Sequence, residues 1–175
     1  MQSLDIRETG PGPIISHMCK QLEVRETIND VVSWDEKQCL LDPGTHVEAL
    51  IINILCQRDP LYRVKNFYLE QDVELLFGKG VKADYFNDDA LGSTLDKIYA
   101  ANPKKVFSAV ALKAQLKEDI NCRVLHGDTT ARLMYGAYEQ EEGLNVTYGY
   151  NKEHRKDLKQ FKIGLVVTEE GFPVL

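Results

Sequence analysis

Cys122-Arg123-Val124-Leu125-His126-Gly127-Asp128 is the stretch on which the fold turns. Before it, apolar residues recur at helical spacing; after it, they alternate as strand residues do. The seven residues read as a strand that delivers an acid at its end. Leu144-Asn145-Val146-Thr147-Tyr148-Gly149-Tyr150 and Phe161-Lys162-Ile163-Gly164-Leu165-Val166-Val167 follow, both with a period of two. Glu169-Glu170-Gly171 reads as a hairpin turn, and Phe172-Pro173-Val174-Leu175 as the start of another strand. A helical block passing into a β-meander makes an α+β chain with a boundary near residue 120.

Upstream, Ile14, Ile15, Met18 and Leu22 mark a first helix, and Thr27, Ile28, Val31 and Val32 a second that ends near Trp34-Asp35. Asp42-Pro43-Gly44 closes the next loop with turn chemistry. Thr45 is placed to cap the strongest helix, whose stripe is Val47, Leu50, Ile51, Ile54 and Leu55. Asp59-Pro60 breaks it. Leu61, Val64, Phe67, Tyr68 and Leu69 begin another helix, and Val73 to Phe77 a short one that Gly78 ends. Asn87 can cap a helix carrying Ala90, Leu91, Leu95, Ile98 and Tyr99. Asn102-Pro103 separates it from a last helix with Val106, Phe107, Val110, Leu112 and Leu116. The breakers Gly10-Pro11-Gly12-Pro13 argue against regular structure there. The expected organisation is a lead-in over 1–13, a helical domain over 14–119 and a β-rich part over 121–175.

An apolar fraction of 43% and a charged fraction of 27% are those of a globular chain. The longest apolar run, Ala49-Leu50-Ile51-Ile52, is far too short to span a bilayer. Met1-Gln2-Ser3-Leu4-Asp5-Ile6 has neither part of a signal peptide, so a cytoplasmic protein is expected. Cysteines 19, 39, 56 and 122 form no C-x-x-C pair, which favours reduced thiols over zinc or disulfides. The net charge of −6 opposes a general affinity for nucleic acid. It is uneven, −5 over residues 1–120 and −1 over 121–175.

Within the second part Lys152, Arg155, Lys156, Lys159 and Lys162, set against Glu153 and Asp157, give +3 over eleven residues. On a hairpin between two strands they could contact DNA phosphates; as a bare charge run they are a solvated loop. Tyr148 and Tyr150 flank Gly149 on one strand face, where they can stack on a base or simply pack on the sheet. Asp88 and Asp89 are a poor metal pair, since adjacent helical residues diverge by about 100°. Gly78-Lys79-Gly80 lacks the strand-to-helix context and the ending of a phosphate loop.

Four stretches taken together carry a family resemblance: Pro60-Leu61-Tyr62-Arg63, Asn87-Asp88-Asp89-Ala90-Leu91-Gly92, His126-Gly127-Asp128-Thr129-Thr130, and the run from Thr147 to Phe161 that ends Asp157-Leu158-Lys159-Gln160-Phe161. In this order and spacing they resemble insertion-sequence transposases of the DDE, ribonuclease H-like class, in the subgroup with an N-terminal domain of unknown function. The resemblance covers about residues 12–175. It implies a helical module for DNA-end binding or assembly, then an incomplete antiparallel β-meander of a ribonuclease H-like domain.

The resemblance further implies three carboxylates around two divalent ions, magnesium or manganese, for strand cleavage and transfer on insertion-element DNA. Asp128 matches the first of them in residue type, position and the following Thr129-Thr130; read by itself it would be a turn or cap residue. The second aspartate and the glutamate would lie beyond residue 175, and Glu139, Glu141, Glu142, Glu169 and Glu170 do not replace them. The chain is therefore expected to be the front part of such an enzyme, inactive alone and holding metal weakly. Its expected partners are DNA, a second copy or another transposase chain, with no membrane. The rival expectation is a non-catalytic helical module that binds another transposase protomer, which the net charge of −6 favours.

Overall fold

A computed structural model describes residues 7, 9–138 and 145–174, and the chain divides into two compact units at Asp119/Ile120. Leu144 of the expected middle strand, Glu139, Glu141, Glu142 and Leu175 lie outside the described residues. The first unit contains seven α-helices among the described residues: α1 (Gly12–Gln21), α2 (Val24–Val31), α3 (Pro43–Cys56), α4 (Val64–Glu70), α5 (Val73–Phe77), α6 (Asp88–Ala100) and α7 (Pro103–Lys117). Single 3-10 turns, Leu61–Arg63 and Ala83–Phe86, precede α4 and α6.

Local chemistry sets most of the helix starts. Asn87 accepts a bond from Ala90 N, Asn102 from Lys104 N and Asp72 from Leu75 N, which satisfies amides that have no partner within their own helix. Two expectations need correction here. The lead-in stops short of residue 13, because α1 begins at Gly12 with Pro13 in its first turn, where proline loses no helical hydrogen bond. The cap of α3 is Asp42, with Pro43 in the first turn; Asp42 Oδ1 accepts from Thr45 N at 2.8 Å, and Thr45 Oγ1 donates to Asp42 Oδ2 at 2.7 Å. The amide and the hydroxyl of Thr45 both donate to this one carboxylate, so Thr45 is the partner of the cap and not the cap itself.

Two apolar clusters hold this unit together. One gathers Ala49, Ile52, Val64, Phe67, Tyr68, Val73, Leu76, Phe77, Phe86 and Leu91. Its centre is aromatic: Tyr68 lies 4.6 Å from Phe86 and 5.3 Å from Phe77, centroid to centroid, and the Tyr68 hydroxyl donates to Ala49 O at 2.7 Å. The second cluster packs Cys19 of α1, Val24 and Ile28 of α2, Val32 just after α2, and Val106 of α7. Helix α3 passes through both, and Val47, Leu50 and Ile51 of the expected stripe pack against them, but the most buried face is a different one. His46, Glu48, Ala49, Ile52 and Asn53 are buried, whereas Ile54 and Leu55 are exposed. Polar partners decide this: Arg25 pairs with Glu48 through Nε, donates to Leu76 O at 3.1 Å and lies 5.4 Å over the Phe77 ring. On α7 likewise Val106, Ala111 and Ala114 face inward, while Phe107, Leu112 and Leu116 face out.

The second unit is a three-stranded antiparallel sheet in the order β1-β3-β2, with β1 Leu125–Met134, β2 Thr147–Tyr148 and β3 Lys159–Thr168. Strand β1 starts later than the sequence suggests and runs further, so that Asp128 stands inside it and not at its end. Continuous pairing from Leu125↔Thr168 to Met134↔Lys159 carries the strand on through the β-branched Thr129 and Thr130. After the turn at Glu169-Glu170, Val174 N donates to Val166 O at 2.8 Å, and Val167 bridges Pro173. The sheet is therefore not the expected sequential meander: β1 pairs with β3 over ten residues and not with the intervening β2, which keeps only two paired residues, and Pro173 and Val174 begin to return along β3. Among the described residues no helix is long and apolar enough to cross a membrane.

Candidate functional site

The register of the sheet determines which residues of the second unit can act together. Directly opposed residues share a face, and successive residues alternate. Asp128 opposes Leu165, Thr130 opposes Ile163 and Arg132 opposes Phe161, so these six lie on one face. Gly127, Thr129, Ala131 and Leu133, opposed by Val166, Gly164, Lys162 and Gln160, lie on the other. Asp128 and Lys162 are therefore on opposite faces.

The Asp128 side chain is exposed, and its Oδ1 accepts from the following amide, Thr129 N, at 2.7 Å. Its neighbours on that face are His126 and Thr130 along the strand and Leu165 across it. No group of three His, Cys, Asp or Glu side chains that could hold a metal ion occurs among the described residues. One exposed carboxylate with a histidine two residues away does not fit the donor set of a two-ion centre, which needs several carboxylates converging on each metal.

The sequence-predicted basic residues separate into three groups. Arg155 is engaged with Asp157 through two bonds, Nε to Oδ1 at 2.8 Å and Nη2 to Oδ2 at 2.6 Å. The guanidinium draws the Asp157 carboxyl down to about 2. Lys159 donates to Ala137 O and, at 2.9 Å, to Tyr138 O, and sits 5.9 Å over the Tyr148 ring. Lys159 and Tyr148 share the Asp128 face, but Lys159 opposes Met134, six residues along β1 from Asp128, which is about 20 Å. Lys152, Lys156 and Lys162 are exposed and have no partner among the described residues.

Lys152 and Lys162 meet at a cavity of about 380 Å3, lined also by Thr129, Ala131, Leu133, Tyr150, Asn151 and Glu153. Thr130 and Arg132, which alternate to the other face, meet it along the edge strand. The connection from β2 to β3 forms the cavity's outer wall, and buried polar side chains hold that connection in place. Asn151, 5% exposed, accepts from Arg155 N at 2.9 Å and donates to Arg155 O at 3.0 Å. Gln160, 4% exposed, donates to Tyr150 O at 3.1 Å. Gly149 lets the loop come this close: a Cβ there would lie 2.4 Å from Gln160 Nε2. Asn151 and Gln160 escaped the sequence reading because neither carries charge. Tyr150 lies 5.8 Å edge-on to the His154 ring and remains exposed, so its outer face is open.

An α+β protein with a seven-helix unit, followed by an antiparallel sheet bearing a basic cleft, is the class that fold and site define. The chain belongs to the family described as Domain of unknown function (DUF4277), whose model matches residues 4–112. The match covers the helical unit as far as the middle of α7 and stops before the sheet. Neither a curated protein nor a solved structure matches the chain.

Proposed function

We propose that this chain belongs to the DNA-transposition machinery of an insertion element, as the N-terminal module of a DDE-type, ribonuclease H-like transposase. In this reading the helical unit serves DNA-end recognition or assembly, and the sheet carries the first catalytic carboxylate, Asp128, beside a DNA-contacting loop. The observation that carries it is the sheet. A long strand holds an exposed aspartate followed by two threonines, pairs antiparallel with β3, and is followed by a chain that turns back along β3. The resemblance likewise puts an antiparallel sheet carrying the first carboxylate at the front of such a domain, and the long β1-β3 pair bearing Asp128 is the feature here that supports it. The remaining carboxylates would have to come from outside these 175 residues, so strand cleavage belongs to the assembled enzyme.

The test is retention of labelled DNA from the flanks of the protein's own locus by the purified chain, against a scrambled duplex of equal length. Preferential retention supports end recognition. Equal or absent retention by the folded chain removes DNA-end recognition from it.

A second reading, a non-catalytic module that docks on another transposase chain, is favoured by the surface of the helical unit. Leu112 and Leu116 stand one turn apart on α7, 54% and 73% exposed. Co-purification of a second transposase chain without DNA would favour this reading.

A further inference from the structure

We propose that the cleft between β1 and the β2–β3 connection is a DNA-backbone phosphate site distinct from Asp128, which holds a stretch of duplex other than the one presented to that carboxylate. The inference rests on the transposition reading and adds a second contact surface to it. Three observations support it. Lys152 and Lys162 converge on one cavity with no carboxylate paired to either among the described residues, so both ammonium groups are available to a phosphate. The loop that brings Lys152 there is fixed by the Asn151 and Gln160 bonds, so the site exists before the ligand arrives and little ordering cost attends binding. The strand register sends Lys162 and Asp128 to opposite faces, so a single phosphodiester cannot touch both.

Glu153 at the rim of the cleft opposes anions, and with Arg132, Lys152 and Lys162 it leaves the site a net positive charge of two from four charged side chains. Such a site positions a backbone and reads no bases. Tyr150 adds a flat apolar surface against the sugar-phosphate edge. Lysine contacts need no metal, in contrast to anything bound through Asp128, and this separates the two faces experimentally.

The experiment is anisotropy of a fluorescein-labelled random duplex with the full chain in EDTA, titrated with salt, for wild type and for Lys152→Gln/Lys162→Gln. Lys37→Gln/Lys79→Gln, which removes the same charge from exposed loops of the helical unit, is the control, and circular dichroism verifies that each variant is folded. The expected result is metal-independent binding by wild type. The cleft variant should bind roughly tenfold or more weakly at low salt and lose about 1.8 from the slope of log K against log salt, two contacts' worth, while the control stays as wild type. Equal affinity and slope in the cleft variant overturn the inference and leave the transposition reading standing. Binding that EDTA abolishes overturns it too, because the contact would then run through metal. Displacement of the duplex by millimolar deoxynucleoside monophosphate, beyond that by chloride of equal ionic strength, would assign the cleft to free nucleotide and overturn the backbone assignment. A wild-type chain that binds no DNA at any salt concentration overturns the inference and, with it, the DNA-end recognition assigned to this chain.

Discussion

The two units of this chain are built on opposite principles. Every buried apolar residue among those described lies at or before Ala114, whereas the buried residues of the sheet unit are Asn151, Gln160 and Thr168, all polar. Leu125, Ile163 and Leu165 of the sheet are about half exposed. The helical unit is held by area removed from water, which is non-directional and tolerant of detail. The sheet unit is held by ladder bonds and a few side-chain bonds that work only in one geometry. A unit of the first kind is a scaffold. One of the second kind keeps a loop in a set position at little apolar cost, which is what a contact surface requires.

The largest expected effect lies in the apolar unit. Phe86→Ala empties the centre of a cluster in which the ring contacts Tyr68, Phe77 and His46, and should cost about 3–5 kcal/mol. Trp34, the only tryptophan, belongs to the helical unit, so its fluorescence in urea follows that unit alone. An unchanged midpoint would mean that the aromatic cluster does not hold the unit together. Gly44→Ala should cost about 1–3 kcal/mol, because a Cβ there would stand 2.4 Å from Arg25 O and 2.7 Å from Arg25 Cα. Backbone cannot rotate aside as a side chain can, and α2 and α3 would be pushed apart.

The same contrast explains what could be read from sequence. Helix limits set by local chemistry were legible: Asn87 and the Asn102-Pro103 break lie where α6 and α7 begin. The buried face of α3 was legible only in part, since Val47, Leu50 and Ile51 pack against the core but Ile54 and Leu55 do not. Hydropathy selects Ile54 and Leu55, but Glu48 is drawn inward by Arg25, and His46 by Thr94 and Tyr85, partners 23 to 48 residues away. Gly44 reads locally as turn chemistry, and its real constraint is the approach of another helix. In the sheet, the basic run reads as a hairpin, whereas β3 already begins at Lys159 and so puts Lys159 and Lys162 on opposite faces. That Asp128 falls with Lys159 required the pairing register, which is long-range. The basic run was visible as charge, whereas the Asn151 and Gln160 anchors that turn it into a cleft were not.

A smaller loss, about 1–1.5 kcal/mol, is expected for Asn151→Ala, and it should be confined to the sheet unit. Amide exchange of Arg155 and its neighbours should speed up while Trp34 unfolding stays put; protection that survives would show that the loop is held some other way. Acid acts on the other unit. His46 is buried, with Nδ1 2.7 Å from Thr94 Oγ1 and Nε2 3.2 Å from Tyr85 O, and burial lowers its pKa below the ordinary 6.5. The unfolded chain then takes up the proton first. Stability of the helical unit is complete above 6.5 and declines as pH falls from there toward the folded value, where the loss levels off. Urea midpoints followed by Trp34 at a series of pH values should show that decline, and His46→Gln should flatten it. An equal decline in the variant would place the effect elsewhere.

The smallest effect is the most informative about Asp128. If the residue were structural, its removal would be felt in the strand that carries it. Its side chain is exposed, and its one bond is to the next amide, which an asparagine Oδ1 can accept equally well. Asp128→Asn should therefore leave the exchange protection of β1 and β3 within about 0.5 kcal/mol of wild type. A larger loss would make the carboxylate part of the ladder's support and weaken its assignment to catalysis. A neutral result leaves an aspartate that the strand does not need for its stability, with its carboxylate open to solvent, which is what the proposed catalytic role requires of it.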